Sequence, residues 1–332
     1  MLPAAWRAPL AALALAWAAL LLVFASDWRD MAAQWSGSST YNHILLVPAI
    51  VAWLVALRRA ELAKLTPTPW WPGLIVLAGA AFLWVLGSFA GLSLARQLAV
   101  VAMRQGSVLA LLGPRVAAGL AFPLGYMLFL VPFGDELVPP MQILTARMTM
   151  ALLSATGIPA LLEGVFITTP SGYFKVAEAC SGVKFLIAMA AFGVLVANLC
   201  YRRWGRRLAF LALALAVPIL ANGVRAWGTI FIAHYRGIEF AAGFDHVFYG
   251  WVFFAVVIAL VLAAGWRWFD RAPDDSQIDG EALAASPLLA RLAQWQVAPQ
   301  TALAAIIGIV LALVYLRVFN YRTLVQKPLI EH

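Results

Sequence analysis

Long uncharged apolar runs alternate with short polar loops along this whole chain. Several runs approach or exceed the roughly 18–20 residues that a helix needs to cross a bilayer, most clearly 71–90 and 247–266. We therefore predict an all-α polytopic membrane protein with about eight to nine transmembrane helices. The candidate spans are residues 9–25, 44–57, 71–90, 92–112, 116–132, 183–199, 208–233, 247–266 and 302–316.

Two neighbouring segments depart from this pattern. Residues 136–156 place prolines, a glutamine and an arginine among apolar side chains, which favours an interfacial or re-entrant helix over a full span. Residues 164–176 are rich in β-branched and aromatic side chains around a Pro-Ser-Gly turn, which predicts a short hairpin. Open strand edges cannot face lipid, so this hairpin must lie in water or against the helices.

The composition excludes an ordinary soluble domain. Of the 332 residues, 64% are hydrophobic and only 11% are charged, whereas soluble domains carry roughly 25% charged residues. The net charge of +8 comes from short basic clusters between apolar runs, with no basic domain. This pattern indicates the lipid bilayer as a partner and gives no sign of a nucleic-acid partner.

The basic clusters also predict which loops face the cytoplasm. Running outward from them places the loops at 27–41, 131–179 and 235–245 on the opposite, outer side. The two anchoring clusters are Arg202, Arg203, Arg206 and Arg207 in one short loop, and Arg58, Arg59 and Lys64 in another.

The chain divides into three predicted parts. Residues 1–268 form the main transmembrane bundle, and the acidic, polar residues 269–300 form a cytoplasmic linker. Residues 301–332 form a final transmembrane helix and a short tail. The first apolar run is interpreted as a retained helix because no small-residue cleavage site follows it.

Two cysteines are present, Cys180 and Cys200, separated by about 30 Å along one predicted helix, which is too far for a disulfide. Cys180 lies where this helix begins, directly after the predicted hairpin. A thiolate at a helix N-terminus is stabilised by the helix dipole and by free N–H groups. Cys180 is therefore the candidate reactive thiol at the outer membrane surface, and Cys200 lies at the opposite end.

An arginine and a histidine are predicted near the same level. Arg225 lies inside an apolar segment, where a charge is costly unless it faces the protein interior or a wet cavity. Asn222 precedes it by one helical turn and could hold the guanidinium. His246 follows Asp245 at the outer start of the next span and could exchange a proton. A thiol, a base and a cationic oxyanion partner together suffice for acyl transfer through a thioester.

At these positions the sequence resembles the exosortase/archaeosortase family of membrane cysteine transpeptidases. The resemblance rests on Glu-Ala-Cys-Ser-Gly around Cys180, Asn-Gly-Val-Arg ending at Arg225, and Asp-His ending at His246. It also takes in the Tyr-Asn-His segment ending at His43, where Asn42 replaces the serine usual in the family. The likeness covers residues 41–266, which would be the catalytic core of the bundle.

The resemblance implies that Cys180 is the nucleophile, that Arg225 stabilises the oxyanion and that His246 is the acid/base. The residues expected to support this site are Asn222, Glu178, Asp245, His43 and Arg96. We expect no cofactor and no metal ion.

The resemblance also implies the partners and the location. Family substrates are secreted proteins that end in a short motif such as Pro-Glu-Pro, one transmembrane helix and a basic tail. The enzyme would cleave near the motif and pass the acyl group to an unidentified acceptor nucleophile at the cell envelope, often where exopolysaccharide is made. The expected location is the cell inner membrane, multi-pass, with the active site at the periplasmic face.

Two other functions fit parts of the sequence. A non-enzymatic transporter or polysaccharide-export component could line a substrate path with Arg96, Arg104 and Arg225. Such a protein would place its polar residues near mid-membrane, whereas the candidate residues here gather at one face. A metalloprotease could use His43, Glu178, Asp245 and His246, but the sequence has no HExxH-like pair on one helix.

Overall fold

The computed structural model describes residues 3–241, 251–272 and 275–325 of the chain. Most of them are helical, and they divide into two compact units. Unit 1 contains residues 1–37, 44–132 and 276–332, and unit 2 contains residues 38–43 and 133–275. The protein is thus an all-α polytopic membrane protein, as predicted.

The helices are numbered in chain order. Unit 1 begins with α1 (Arg7–Val23), α2 (Ala25–Gly37), α3 (Val47–Leu57), α4 (Arg59–Leu62), α5 (Trp71–Phe89), α6 (Ser93–Gly119) and α7 (Ala121–Tyr126). Unit 2 contains α8 (Val138–Ala155), α9 (Val183–Cys200), α10 (Trp204–Arg236) and α11 (Trp251–Trp266). The chain returns to unit 1 with α12 (Gly280–Ala285), α13 (Pro287–Leu292) and α14 (Pro299–Val325).

Small residues let α5 and α6 of unit 1 pack closely. A methyl group at Gly106 would lie 2.8 Å from the Leu77 nitrogen, and one at Gly73 would overlap the backbone at Ala110. Close backbone approach through glycine is a common way to join membrane helices, because lipid supplies no hydrophobic driving force between them.

The predicted count of eight to nine spans is not confirmed. Five described helices are long and apolar enough to cross a membrane, or up to seven if each of two bent pairs forms one span. Residues 42–57, which contain α3, bend by 116° from α2, and residues 121–130 bend by 109° from α6. Hydropathy detects the length of an apolar segment but not its bends. The sequence therefore predicted residues 92–112 and 116–132 as two spans, whereas the bent pair at 93–130 could form one.

Helix α2 occupies a segment that the sequence analysis treated as an outer loop. It buries Met31, Trp35 and the carboxylate of Asp27. Asp27 is only 1% exposed, accepts a hydrogen bond from Trp84 Nε1 at 3.3 Å and lies 3.7 Å from Arg96 Nε. The carboxylate of Asp27, one of the polar residues that suggested a loop, therefore has a hydrogen-bond partner and an ion-pair partner inside unit 1.

Unit 2 carries a three-stranded antiparallel sheet in the order β1 (Leu161–Glu163), β2 (Phe166–Thr169) and β3 (Gly172–Lys175). The predicted hairpin is confirmed as β2 and β3, which pair Phe166 with Lys175. Strand β1 was not predicted. One face of the sheet covers an apolar cluster, and the half-buried side chain of Cys180 packs against that cluster.

Ion pairs connect the loop after the C-terminal end of α9, and the first turn of α10, to the segment after α11. Arg206 Nη1 donates to Asp270 Oδ2 at 3.1 Å, and Arg202 donates to Asp275 Oδ2 at 2.7 Å. A bond from the Arg202 backbone N–H is the main cause that lowers the pKa of the Asp270 carboxyl. Two arginines of the predicted cytoplasmic cluster are thus paired within the unit.

Among the described residues of unit 2, α9 and α10 are long and apolar enough to cross a membrane, and 252–266 forms a shorter apolar helix. Helix α8 is not among these candidate spans. Its placement at the membrane interface, or as a re-entrant helix, stays a prediction.

Candidate active site

Cys180 closes a tight turn between the sheet and α9. The turn spans Glu178–Cys180, and the Cys180 backbone N–H donates to the Ala177 carbonyl at 2.9 Å. Gly182 follows as the N-cap of α9, with a left-handed φ of +84°. Cys180 therefore lies two residues before the cap of a long apolar helix, where the sequence predicted it.

A buried amide fixes the backbone of Cys180. Asn222 Nδ2, on α10, donates to the Cys180 carbonyl and to Thr145 Oγ1, each at 3.0 Å. Thr145 Oγ1, on α8, then donates to the Ser181 carbonyl at 3.3 Å. Asn222 is 1% exposed and Thr145 is 2% exposed, so water does not compete for these bonds. The amide nitrogen of Asn222 therefore holds the cysteine turn, and the expectation that Asn222 also holds the Arg225 guanidinium stays a prediction.

Gly182 is required at its position for two reasons. Its left-handed backbone disfavours any residue with a Cβ, and an added methyl group would lie 2.8 Å from the Asn222 amide carbon. The turn, the helix cap and Asn222 therefore fit together only when this residue has no side chain.

We predict that Gly182→Ala destabilises the protein by about 1–2 kcal/mol from the backbone alone, since alanine is strained at this φ, and that it disturbs the Asn222 bonds. Gly205→Ala is the control, because a methyl group at that helical glycine meets nothing within 4 Å. Thermal unfolding in detergent should show a lower Tm for Gly182→Ala and an unchanged or higher Tm for Gly205→Ala. Equal Tm values for Gly182→Ala and the unmodified protein would contradict this account.

A small cavity of about 80 Å³ joins the candidate residues of unit 2. Cys180, Asn222 and Arg225 all line it, and the two latter residues are one turn apart on α10. Arg225 is half-buried. The remaining lining residues are Thr149, Ile167, Phe174, Lys175, Val176, Ala226, Thr229 and Ile230. The apolar members of this set reduce the polarity around the thiol and the guanidinium, which strengthens electrostatic interactions there.

A larger groove of about 540 Å³ also borders the cysteine turn. Glu178, which is exposed, lines it together with Ala179 and Ser181, the two neighbours of Cys180. Residues 38–40 contribute hydroxyl groups to the same groove. The Cys180 turn thus contributes residues to a small, mostly apolar cavity and to a larger, more polar groove.

The segment before α3 is anchored beside this groove. Tyr41 is buried and its hydroxyl donates to Asp135 Oδ1 at 2.6 Å. Burial, followed by the Asp135 carboxylate, raises the pKa of the Tyr41 phenol well above its ordinary value. His43 belongs to the same unit, and its Nε2 is buried without a hydrogen-bond partner among the described residues. His43 does not line the cavity beside Cys180.

Arg96 and Arg104 lie in unit 1, on α6. Arg96 makes the ion pair with Asp27 described above. The guanidinium carbon of Arg104 lies 4.1 Å from the centre of the Trp28 ring and 5.5 Å from that of Trp17. Both arginines therefore have partners within unit 1, and the support that Arg96 was expected to give the site stays a prediction.

Asp245 and His246 lie outside the residues that the structure describes. Their expected roles, as support and as acid/base, stay predictions.

Two threonines of α8 that reach the site were not predicted from the sequence. Gln142, Thr145 and Thr149 recur at intervals of three and four residues, so they share one helical face. Gln142 Nε2 donates to the Val176 carbonyl at 2.7 Å, Thr145 bonds to the cysteine turn, and Thr149 lines the cavity. This polar stripe in an apolar helix was the available signal.

The fold and this arrangement define a multi-pass membrane protein with a half-buried cysteine site at the start of a spanning helix. The profile of the transmembrane exosortase family matches residues 34–263, which is more than half of the chain. The chain belongs to this family, and the resemblance seen in the sequence is confirmed. Membership places the protein among the membrane-embedded transpeptidases that act on secreted substrates. No individual curated protein and no solved structure matches the chain significantly.

Proposed function

We propose that this protein is a Cys180-dependent protease and transpeptidase that removes C-terminal sorting tails from secreted proteins. The observation that carries the proposal is the joint lining of one cavity by Cys180, Asn222 and Arg225. Family membership supports the reaction class, and the geometry supports the choice of residues. The proposed substrates end in a short motif such as Pro-Glu-Pro, a transmembrane helix and a basic tail.

The proposed reaction has two acyl transfers. The Cys180 thiolate attacks the scissile carbonyl carbon, a C–S bond forms, and the carbonyl π pair moves to the oxygen, where Arg225 stabilises it. Collapse of this intermediate breaks the C–N bond, and His246 returns to the leaving amine the proton that it took from the thiol. An acceptor nucleophile then attacks the thioester, the C–S bond breaks, and the thiol is regenerated.

Asn222 has a positioning role in this proposal. Its amide holds the Cys180 carbonyl and does not touch the reacting atoms, but it sets where the thiol lies relative to Arg225 one turn further along α10. A misplacement of about 1 Å at such a site can reduce the rate on the order of 10²-fold.

We also propose that Cys180 faces the periplasm and that the protein resides in the inner membrane. Cys180 and the arginine cluster lie beyond opposite ends of α9. The positive-inside tendency assigns the arginine end to the cytoplasm, and it depends on lysine and arginine counts even where some are ion-paired. A site at the outer end can meet a substrate after its export, and a link to exopolysaccharide production is part of the same proposal.

This orientation predicts the labelling of the two cysteines in intact cells. A small membrane-impermeant thiol reagent should modify Cys180 and spare Cys200, because only Cys180 lies at the periplasmic end of α9. The single variants Cys180→Ser and Cys200→Ser assign the label by mass spectrometry. Modification of Cys200 with no modification of Cys180 would invert the topology.

Co-expression with a tailed substrate tests the function itself. The unmodified enzyme should shift the substrate to a shorter form on a gel, and a substrate without its C-terminal motif should not shift. Cleavage of both substrates alike would show that the protein does not recognise the proposed tail.

A further inference from the structure

Thr149, on α8, carries a buried hydroxyl group that no described residue satisfies. The residue is 0% exposed, and its Oγ1 has no hydrogen-bond partner among the described residues. Threonine in a helix commonly donates to the carbonyl four residues earlier, and no such bond is formed here. An unpaired buried hydroxyl costs free energy, so a hydroxyl without a partner among the described residues is a candidate donor to a bound substrate.

The register between α8 and α10 places this hydroxyl beside the reactive residues. Thr145 bonds to Asn222, and Met148 packs against Gly223. Further along both helices, Trp227 Nε1 donates to Thr156 Oγ1 at 3.3 Å. The contacts thus advance in the same direction along both helices. A residue that lies between 148 and 156 on this face of α8 is therefore opposite the part of α10 between 223 and 227. Thr149 therefore lies near the level of Arg225.

The cavity beside Cys180 is the place where a substrate could contact both donors. Thr149 and Arg225 both line it, together with Cys180. At about 80 Å³ the cavity has room for a carbonyl group or a few waters. Arg225 and Thr149 are both hydrogen-bond donors, and an oxygen atom with several lone pairs is the guest that can accept from both.

We infer that the Thr149 hydroxyl is a second oxyanion donor, acting with Arg225 on the carbonyl oxygen of the substrate. This inference rests on the proposed function. As the Cys180 sulfur bonds to the carbonyl carbon, the π pair moves to the oxygen, and Thr149 donates a hydrogen bond to that oxygen while keeping its own proton. The bond strengthens as negative charge develops, so it favours the transition state over the bound substrate. Thr149 is thus a catalytic residue, whereas Thr145 and Asn222 position the turn.

The test compares Thr149→Val, Thr149→Ser and Ser154→Ala in the purified protein. Valine keeps the shape of threonine but removes the unpaired hydroxyl, so the Tm of Thr149→Val should be unchanged or higher. Its kcat for tail cleavage should nevertheless fall on the order of 10²-fold, with little change in KM. Thr149→Ser should restore most of kcat. Ser154→Ala removes an exposed hydroxyl of the same helix and should keep kcat.

Loss of activity with unchanged or raised stability is the signature of a catalytic hydroxyl. The inference is overturned if Thr149→Val keeps full kcat. It is also overturned if the Tm of Thr149→Val falls and the lost activity is explained by the loss of folded protein. A parallel assay of Cys180→Ala distinguishes a failure of the proposed function from a failure of the role assigned to Thr149. Activity in Cys180→Ala would refute the proposed function, whereas loss there with full activity in Thr149→Val would refute only the role of Thr149.

Discussion

Cys180→Ala is expected to abolish tail cleavage completely, because no other group in the proposed mechanism forms the covalent bond to the substrate. Cys180→Ser should be nearly as inactive, since a serine hydroxyl is a far weaker nucleophile than a thiolate at neutral pH. Both changes are small, and the turn is held through backbone groups of Cys180 and Ser181. The variants should therefore still fold and insert in the membrane.

Cys200→Ser is the matched control for this substitution. Cys200 is the other free cysteine, at the opposite end of α9, and its replacement should leave cleavage unchanged. Cleavage is followed by gel mobility of a co-expressed tailed substrate, and membrane fractions are probed for each variant. Full processing by Cys180→Ala would end the enzyme hypothesis and return attention to a transport function.

Arg225→Lys is expected to reduce cleavage on the order of 10²–10³-fold, as for removal of an oxyanion donor. Lysine retains the charge but lacks the planar guanidinium, which can bond to an oxyanion and to a neighbouring group at once. Because Arg225 lines the same cavity as Cys180, its effect should fall mainly on kcat.

A conservative change at an exposed arginine controls for the loss of a guanidinium as such. Arg203→Lys, near the start of the same helix, should retain cleavage, because Arg203 is exposed and does not line the cavity. If Arg225→Lys cleaved the substrate at the unmodified rate, the guanidinium would have no part in catalysis, and Cys180 would need another oxyanion partner.

Hydrophobic patterning predicted the features that depend on local sequence. Apolar length identified the five described helices that are long enough to cross a membrane, and β-branched residues around the turn at 170–172 identified the hairpin. The beginning of a long apolar run directly after Cys180 was enough to place this residue at a helix start. Each of these signals lies in adjacent residues, so it can be detected without knowledge of the fold.

Contacts between distant segments could not be predicted in the same way. The bends after α2 and α6 changed the number of candidate spans, and strand β1 is only three residues long. Asn222 is expected from sequence to act within its own helix, but its amide reaches the cysteine turn from α10. Thr145 and Thr149 belong to a polar stripe that is visible in the sequence, but only the packing of α8 against α10 relates them to Cys180.

The central claim is that the acyl group of the substrate becomes bound to the sulfur of Cys180. The direct measurement is mass spectrometry of the purified protein, quenched with acid during reaction with a tailed peptide in the absence of an acceptor. We predict an added mass equal to the acyl portion of the peptide, located on Cys180 and released by hydroxylamine, and absent from Cys180→Ala. A tailed peptide that is cleaved without any such adduct, or an adduct on a residue other than Cys180, would contradict the account.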